Sequence, residues 1–294
     1  IGSALKWFRD RRGLASGIMA AGFGAGTALF MPWISYLIQH RGYRTAFVWT
    51  GILQGVTIVI VAQFLRHPPH EPAPAAPKAA GAVDRVGKHH FTTIEMLRAP
   101  QFYVLYLTFV LMATGGLLVT AHAGPLAKSW GFSTAVLTFA ATLSPIANGA
   151  SRIFWGLASD RVGREPAMVV AFVLQAVCLV LVLTVGRWSG GLFTLTLVLT
   201  YFTWGEVFSL FPSISGDYFG TRHATSNYAV LYTAKGVAAI FGVSVASMLY
   251  ERFGTWSAGF LGSAGLALAA AVLAFGLHRA TIARRRREFS RGTP

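Results

Sequence analysis

Two basic residues lie inside apolar stretches of this sequence. Arg152 stands in the segment Thr134–Leu157, and Lys235 stands in the segment Asn227–Tyr250. A cationic side chain at the centre of a bilayer costs about 2.5 to 3.5 kcal/mol even on insertion scales, so it normally faces a polar cavity or an ionic partner. Two cations in one cavity would be suited to binding a small anion.

The composition places the chain in a lipid bilayer. Apolar residues make up 54% of it and charged residues 12%, and that charged share is about half the usual one for a soluble domain. Eight windows are long enough to cross a hydrocarbon core of roughly 30 Å. They are Gly13–Gln39, Thr45–Leu65, Phe102–Thr120, Thr134–Leu157, Pro166–Val185, Gly191–Phe211, Asn227–Tyr250 and Trp256–Leu277. We therefore expect an all-α integral membrane protein with eight transmembrane helices.

The connections between these windows predict the topology. Residues 67–99 are rich in Pro and Ala, which favours an extended connector, whereas the other connections are short, as in an antiparallel bundle. Alternate connections give one side 18 of the 25 Lys and Arg residues and the other side five, leaving Arg152 and Lys235 in the membrane. The positive-inside rule then places the central connector and the C-terminus in the cytoplasm. The net charge of +15 is thus a topology signal, compatible with lipid headgroups, and no nucleic-acid partner is expected.

Helix geometry brings the two cations to one depth. Arg152 lies eight residues before Asp160, and Lys235 lies eight residues after Asn227. At about 1.5 Å per residue, both are about 12 Å from the cytoplasmic boundary. Asn148 is one turn from Arg152 on the same helix face. This spacing predicts an anion site with a hydrogen-bonding neighbour.

Glu206 is the one carboxylate within the predicted spans, and one acid cannot neutralise two bases. Trp204 and Phe208 are four residues apart and share a helix face, while Glu206 points roughly the opposite way. We therefore favour a packing or ion-pair role for Glu206 over proton coupling. Trp204, Phe208 and Tyr232 are candidate walls of an aromatic cage, although aromatic residues at helix interfaces can serve packing alone.

Glycine residues recur along the first predicted span. Its glycines are Gly13, Gly17, Gly22, Gly24 and Gly26. No strand precedes them, so a dinucleotide-binding loop is excluded. Their spacing favours close approach of membrane helices.

A charged motif follows Arg152 where the fourth span leaves the membrane. It is Gly156-x-x-x-Asp160-Arg161-x-Gly163-Arg164. Its glycines permit a tight turn, and its acid and bases can pair with neighbouring helix ends or with each other. The motif resembles the signature loop of the major facilitator superfamily, which recurs in degraded form between the eighth and ninth helices.

This resemblance implies a major facilitator helical bundle in which the eight spans correspond to helices five to twelve of twelve. The chain is then expected to be N-terminally incomplete. Residues 1–66 would be the last two helices of the N-terminal half, 67–99 the central cytoplasmic loop, 100–278 the C-terminal six-helix half, and 279–294 a basic cytoplasmic tail.

Further motifs resemble the oxalate/formate antiporter family, a relative of the monocarboxylate porters. They are Glu95-Met96-Leu97-Arg98-x-Pro100-Gln101-Phe102-Tyr103, Asn148-Gly149-x-x-Arg152, Phe211-Pro212, Asp217-Tyr218-Phe219-Gly220 and Asn227-Tyr228-x-x-x-Tyr232-Thr233-Ala234-Lys235-Gly236. In that family an Arg on helix eight and a Lys on helix eleven face the central anion, and Arg152 and Lys235 match those positions. The family often has Tyr where this chain has Phe208.

The resemblance implies exchange of small carboxylates such as oxalate and formate by alternating access. A proton-coupled monocarboxylate symporter is the first alternative, and a non-transporting membrane sensor or scaffold is the second. No enzyme is expected, because no nucleophile motif or metal-ligand spacing lies at membrane depth. We expect no cofactor or metal, a monomer, and a multi-pass location in a bacterial inner membrane.

Overall fold

The computed structural model of the chain describes residues 2–8, 10–64 and 90–290, and these ranges contain helices and no strand. The helices are α1 (Gly2–Trp7), α2 (Arg12–Ala62), α3 (Thr93–Arg98), α4 (Pro100–Ser129), α5 (Thr134–Val162), α6 (Arg164–Thr184), α7 (Gly190–Trp204), α8 (Val207–Phe219), α9 (Ala224–Ala239), α10 (Ala246–Phe253) and α11 (Ser257–Ser290). A π-helical turn, Ile240–Val245, joins α9 to α10. The domain boundaries at residues 66 and 67 lie outside the described residues.

Six of the described helical segments are long and apolar enough to cross a membrane. They are Tyr36–Ala62, Pro100–Ser129, Arg164–Trp188, Gly190–Phe219, Ala224–Phe253 and Ser257–Ala283. The prediction of an all-α membrane protein is therefore confirmed, while the count of eight spans is not. The predicted spans Gly13–Gln39 and Thr134–Leu157 are also helical but are not among these six segments.

Helix α2 is interrupted once, at Gly42. This residue has φ 78° and ψ 162°, which an L side chain rarely adopts, and it lies between the windows expected to form the first and second spans. Beyond it the helix exposes large apolar side chains, including Phe47 at 76% of its surface. Such a surface requires lipid or further protein around it.

Helices α2 and α5 cross at close range because both carry glycine at the contact. A Cβ atom added to Gly156 would lie 2.1 Å from the carbonyl oxygen of Gly13, and one added to Gly17 would lie 2.3 Å from that of Arg152. The expected packing role of the first-span glycines thus applies to Gly13 and Gly17. Around Gly22 a Cβ would meet nothing within 4 Å.

The sixth predicted span is not one continuous helix. It breaks at Gly205 and Glu206, between α7 and α8. A Cβ at Gly205 would lie 1.9 Å from the hydroxyl of Ser151 and 2.6 Å from the carbonyl oxygen of Asn148, so this turn packs directly against α5. The break therefore lies beside the helix that carries Arg152.

Candidate functional site

Helix α5 holds Arg152 by a chain of hydrogen bonds. Its Nη2 donates to Oδ1 of Asn148 at 2.6 Å, and Nδ2 of Asn148 donates to the carbonyl oxygen of Tyr201 at 3.0 Å. Only 3% of the Arg152 surface is exposed. Asn148 therefore orients the guanidinium, as expected for two residues one helical turn apart.

Arg152 also contacts helix α2. Its Nη1 donates to the carbonyl oxygen of Ala20 at 2.6 Å, whereas its Nε has no hydrogen-bond partner among the described residues. The guanidinium thus uses neutral acceptors and retains an unused donor.

Lys235 projects from α9 and is half-buried. Its Nζ donates to the hydroxyl of Tyr232 at 3.2 Å, and the ring of Tyr232 lies 5.6 Å from that of Tyr228 between centroids. Tyr232 is therefore a direct neighbour of the ammonium. Its position fits the expected aromatic cage.

The ring of Phe208 brings the two cations together. Cζ of Arg152 stands 4.2 Å from the Phe208 centroid, and Nζ of Lys235 stands 5.0 Å from it. Both cations also lie 5.7 Å from the centroid of Phe23 on α2. Contacts of this kind are worth about 0.5 to 2 kcal/mol each. Two cations separated by 83 positions in sequence thus share two aromatic rings.

Trp204 lies beside Phe208 and adds a third kind of aromatic contact to the surroundings of the two cations. Its ring centroid is 5.5 Å from that of Phe208 and 6.0 Å from that of Tyr201. A Cβ at Gly116 on α4 would lie 1.9 Å from the indole, so only glycine leaves room for it there. The indole Nε1 is buried and donates to no described residue. Trp204 thus offers a second unused donor.

Neither cation forms a salt bridge with any carboxylate of the described residues. The buried ion pairs lie elsewhere, at the ends of α5 and α8. Two positive charges on α5 and α9 therefore lack a counter-charge within the described part of the chain, and an anion is the chemical group that would supply it.

Glu206 does not supply the missing charge. It is fully buried at the break between α7 and α8, and neither of its carboxyl oxygens accepts a hydrogen bond from a described residue. No described cation forms the ion pair considered for it, and its possible part in proton coupling stays a hypothesis.

The charged motif forms a second cluster. Helix α5 ends at Val162, and Gly163, with φ 106°, makes the turn into α6. Asp160 accepts hydrogen bonds from the backbone N–H groups of Gly13 at 2.9 Å and Leu14 at 2.8 Å, and so caps the first turn of α2. Gly156 does not contribute to the turn, because it lies inside α5 against Gly13.

Arg164 completes this cluster with residues from α2 and α8. Its Nη2 lies 2.6 Å from Asp160, and its Nε donates to Asp217 at 3.0 Å. Arg12 donates to the other oxygen of Asp217 at 2.8 Å. Arg161 is exposed and joins no ion pair with a described residue. The cluster pairs two arginines with two aspartates and fastens α2 to α5, α6 and α8.

The family model of the Major Facilitator Superfamily matches residues 1–123 and 104–293. The chain belongs to the major facilitator superfamily. This confirms the resemblance drawn from the charged motif. It also confirms that the chain belongs with transporters and not with enzymes.

Similar proteins include several superfamily members. The oxalate:formate antiporter of Oxalobacter formigenes is 38% identical over 88% of this chain and 60% of its own length. The uncharacterized transporter YhjX of Escherichia coli strain K12 is 26% identical over 82% of this chain and 58% of its own length. Monocarboxylate transporter 12 of Xenopus laevis is 24% identical over 87% of this chain and 59% of its own length. The chain thus spans about 60% of these relatives, and the expected similarity to the oxalate/formate antiporters is confirmed.

Four residues that the sequence analysis did not assign to a site contribute to the surroundings of Arg152 and to the ion-pair cluster. Ala20 and Phe23 lie near Arg152, and Arg12 and Asp217 lie in the ion-pair cluster. Ala20 acts through its backbone, which carries no sequence signal. Asp217 stands in a family motif, and its opposite charge to Arg12 near the same predicted boundary could have indicated their pairing.

No group of three His, Cys, Asp or Glu residues in the described part of the chain is arranged to hold a metal ion.

Proposed function

We propose that the full-length protein is a secondary active transporter that exchanges small carboxylate anions by alternating access. The observation that carries this proposal is the pair Arg152 and Lys235, which stand over one Phe208 ring without a described carboxylate beside them. Their two positive charges match a dianion such as oxalate, while a monoanion such as formate matches them less completely. The similar protein named oxalate:formate antiporter supports this substrate class.

The surrounding groups favour an anion over a cation. The hydroxyl of Tyr232 is within hydrogen-bond distance of Lys235, and the unused N–H groups of Arg152 and Trp204 are donors. Asn148 uses its oxygen on Arg152 and its amide N–H on Tyr201, so it acts as a positioning residue. The site we propose thus consists of Arg152 and Lys235 as anion ligands, with Tyr232, Trp204 and Phe208 as its walls.

The charges give a physical reason for exchange. An empty carrier that closes on both sides would enclose two like charges without a counter-ion, which is strongly unfavourable. A carrier loaded with oxalate encloses a neutral set of charges and can reorient. Transport in one direction therefore requires an anion for the return step.

The topology belongs to the same proposal. We assign eight crossings, equivalent to helices five to twelve, with the break at Gly42 separating the first two and α5 forming the fourth. Residues 1–66 and 100–278 then belong to the two half-bundles, with the connector 67–99 and the tail 279–294 in the cytoplasm of a bacterial inner membrane. The functional unit is a monomer.

Counterflow in proteoliposomes tests the exchange. The full-length protein should take up labelled oxalate when the vesicles contain oxalate or formate, and should show little uptake when they are empty. Lys235→Gln should abolish this exchange, while Lys128→Gln, which alters an exposed lysine at the end of α4, should leave it intact. Exchange retained by Lys235→Gln would contradict the proposed anion site.

A proton-coupled monocarboxylate symporter is the second candidate. The buried Glu206 without a described partner favours it, as does the similarity to monocarboxylate transporter 12. Uptake of a monocarboxylate into empty vesicles, driven by a pH gradient and lost in Glu206→Gln, would support this function over exchange. A sensor or scaffold would insert normally and carry no carboxylate in either assay.

A further inference from the structure

Arg152 and Lys235 differ in their hydrogen-bond acceptors when no anion is present. Arg152 donates to the carbonyl oxygen of Ala20 on α2 at 2.6 Å. Lys235 donates to Tyr232, which lies on its own helix. Arg152 therefore connects two helices that are distant in sequence by a hydrogen bond, whereas the hydrogen bond of Lys235 is local and its contact with α2 is limited to the ring of Phe23 at 5.7 Å.

The backbone of Arg152 lies at the same crossing as its side chain. A Cβ at Gly17 would be 2.3 Å from the carbonyl oxygen of Arg152, and one turn further the backbones of Gly13 and Gly156 are in contact. The hydrogen bond to Ala20 thus lies at one end of the tightest contact between α2 and α5. Asp160 holds the other end by capping α2.

We infer that Arg152 is a gating residue as well as an anion ligand. Its hydrogen bond to Ala20 keeps α2 against α5 while the site is empty. A carboxylate between Arg152 and Lys235 carries a full negative charge and attracts both cations, whereas the carbonyl oxygen of Ala20 is a neutral acceptor for one of them. The anion therefore draws the guanidinium away from Ala20 and releases α2 from α5 at this end of the crossing.

The movement of Arg152 toward a bound anion rests on the proposed function. The contact between α2 and α5 that the Ala20 hydrogen bond maintains in the anion-free protein does not rest on it. That hydrogen bond depends on one donor and one backbone acceptor. A bound anion can shift the equilibrium between the state with α2 against α5 and the state with these helices apart only if it binds one state more tightly. The Ala20 bond supplies such a difference, because Ala20 competes with the anion for Arg152 only when the helices are in contact.

Ser16 is a suitable reporter for the contact. It is fully buried on α2, next to Gly17 at the α2–α5 crossing, and its hydroxyl lies 2.7 Å from that of Ser213 on α8. A movement of α2 away from α5 and α8 would expose it. We would introduce Ser16→Cys in the full-length protein after replacing its other cysteines, Cys178 among them. The rate of alkylation by a small water-soluble maleimide is then measured with and without oxalate.

Without oxalate, Arg152→Gln should raise the alkylation rate about tenfold, because a hydrogen bond to a charged group is worth about that factor. Lys235→Gln should raise the rate much less, since this lysine contacts α2 only through the ring of Phe23 and not through a hydrogen bond. In the protein with both cations, oxalate should raise the rate. Equal rates in Arg152→Gln and its parent, or an equal rise in Lys235→Gln, would overturn the gating role.

A second pair of variants avoids any change in the anion ligands. Gly17→Ala places a methyl group against the backbone of Arg152 and should also raise the rate, whereas Gly22→Ala on the same helix enters open space and should not. A raised rate in Gly17→Ala together with Arg152→Gln supports gating even if no oxalate exchange is found. Normal oxalate exchange by the parent protein, with no change of the alkylation rate in either variant, would overturn gating and leave the proposed transport intact.

Discussion

Two groups of charged side chains lie about two helical turns apart along α5, and they differ in whether opposite charges accompany them. The ion-pair cluster combines Arg12 and Arg164 with Asp160 and Asp217 at 2.6 to 3.0 Å. The cation pair combines Arg152 and Lys235 with aromatic rings, an amide, a phenol and a backbone carbonyl. The first group is complete within the described residues, whereas the second lacks a counter-charge there. This difference distinguishes a structural junction from a candidate ligand site.

The largest effect is expected in the ion-pair cluster. Asp217→Asn removes the carboxylate that serves both Arg12 and Arg164, and leaving buried charges unpaired should lower the free energy of unfolding by about 3 to 5 kcal/mol. Thermal unfolding in detergent measures the loss. Asp10→Asn is the control, because Asp10 pairs with Arg11 on the surface at 3.8 Å and such pairs contribute little. Equal losses in both variants would remove the distinction between the two regions.

The cation pair should respond in the opposite way. Lys235→Gln removes a charge that has no described counter-charge, so the anion-free protein should be as stable as its parent or more stable. Oxalate at 100 times its Kd should stabilise the parent by about 2.7 kcal/mol and the variant not at all. Thermal shifts over an oxalate series check both statements. A strongly destabilised Lys235→Gln would indicate a structural partner for this lysine.

The smallest effect is expected at Phe208, the aromatic ring that stands beside both cations in place of a carboxylate. Phe208→Leu removes cation–π contacts worth about 0.5 to 2 kcal/mol, and the loss weighs most on the anion-free state. The stabilisation by oxalate should therefore increase slightly. Phe211→Leu, where the ring stacks on Phe109 at 4.4 Å and touches no cation of the described residues, should leave the oxalate shift unchanged. A smaller shift in Phe208→Leu would indicate that the ring contacts the anion directly.

Much of this arrangement follows from helix periodicity. Arg152 lies ten residues before the end of α5 and Lys235 eleven residues after the start of α9, and both contact Phe208. The four-residue spacing puts Trp204 beside Phe208. The end of α5 at the charged motif is likewise a local property, because Gly163 adopts a positive φ. These features depend on residues that are close in sequence.

The remaining features depend on contacts between distant segments. The carbonyl oxygen of Ala20 could belong to any residue type, so no pattern indicates that it accepts from Arg152. Gly156 fits a turn and a helix crossing equally well in sequence, and only the proximity of Gly13 decides between them. The close fit of Gly205 against Ser151 and Asn148 has the same origin, since it depends on the neighbouring helix α5.

The π-helical turn Ile240–Val245 affects how this helix can tolerate insertions and deletions. A π turn contains one residue more than the corresponding α turn, and inserting a residue into an α-helix without such a bulge rotates everything beyond it by about 100°. The turn follows Lys235 by five positions, and Gly242 within it fits against the backbone of Thr114. Loss of one codon within 240–245 would convert the bulge into α-helix and leave the faces of α9 and α10 in register. The same loss within α9 would turn Lys235 away from Phe208, so length variation in this helix should concentrate at the bulge.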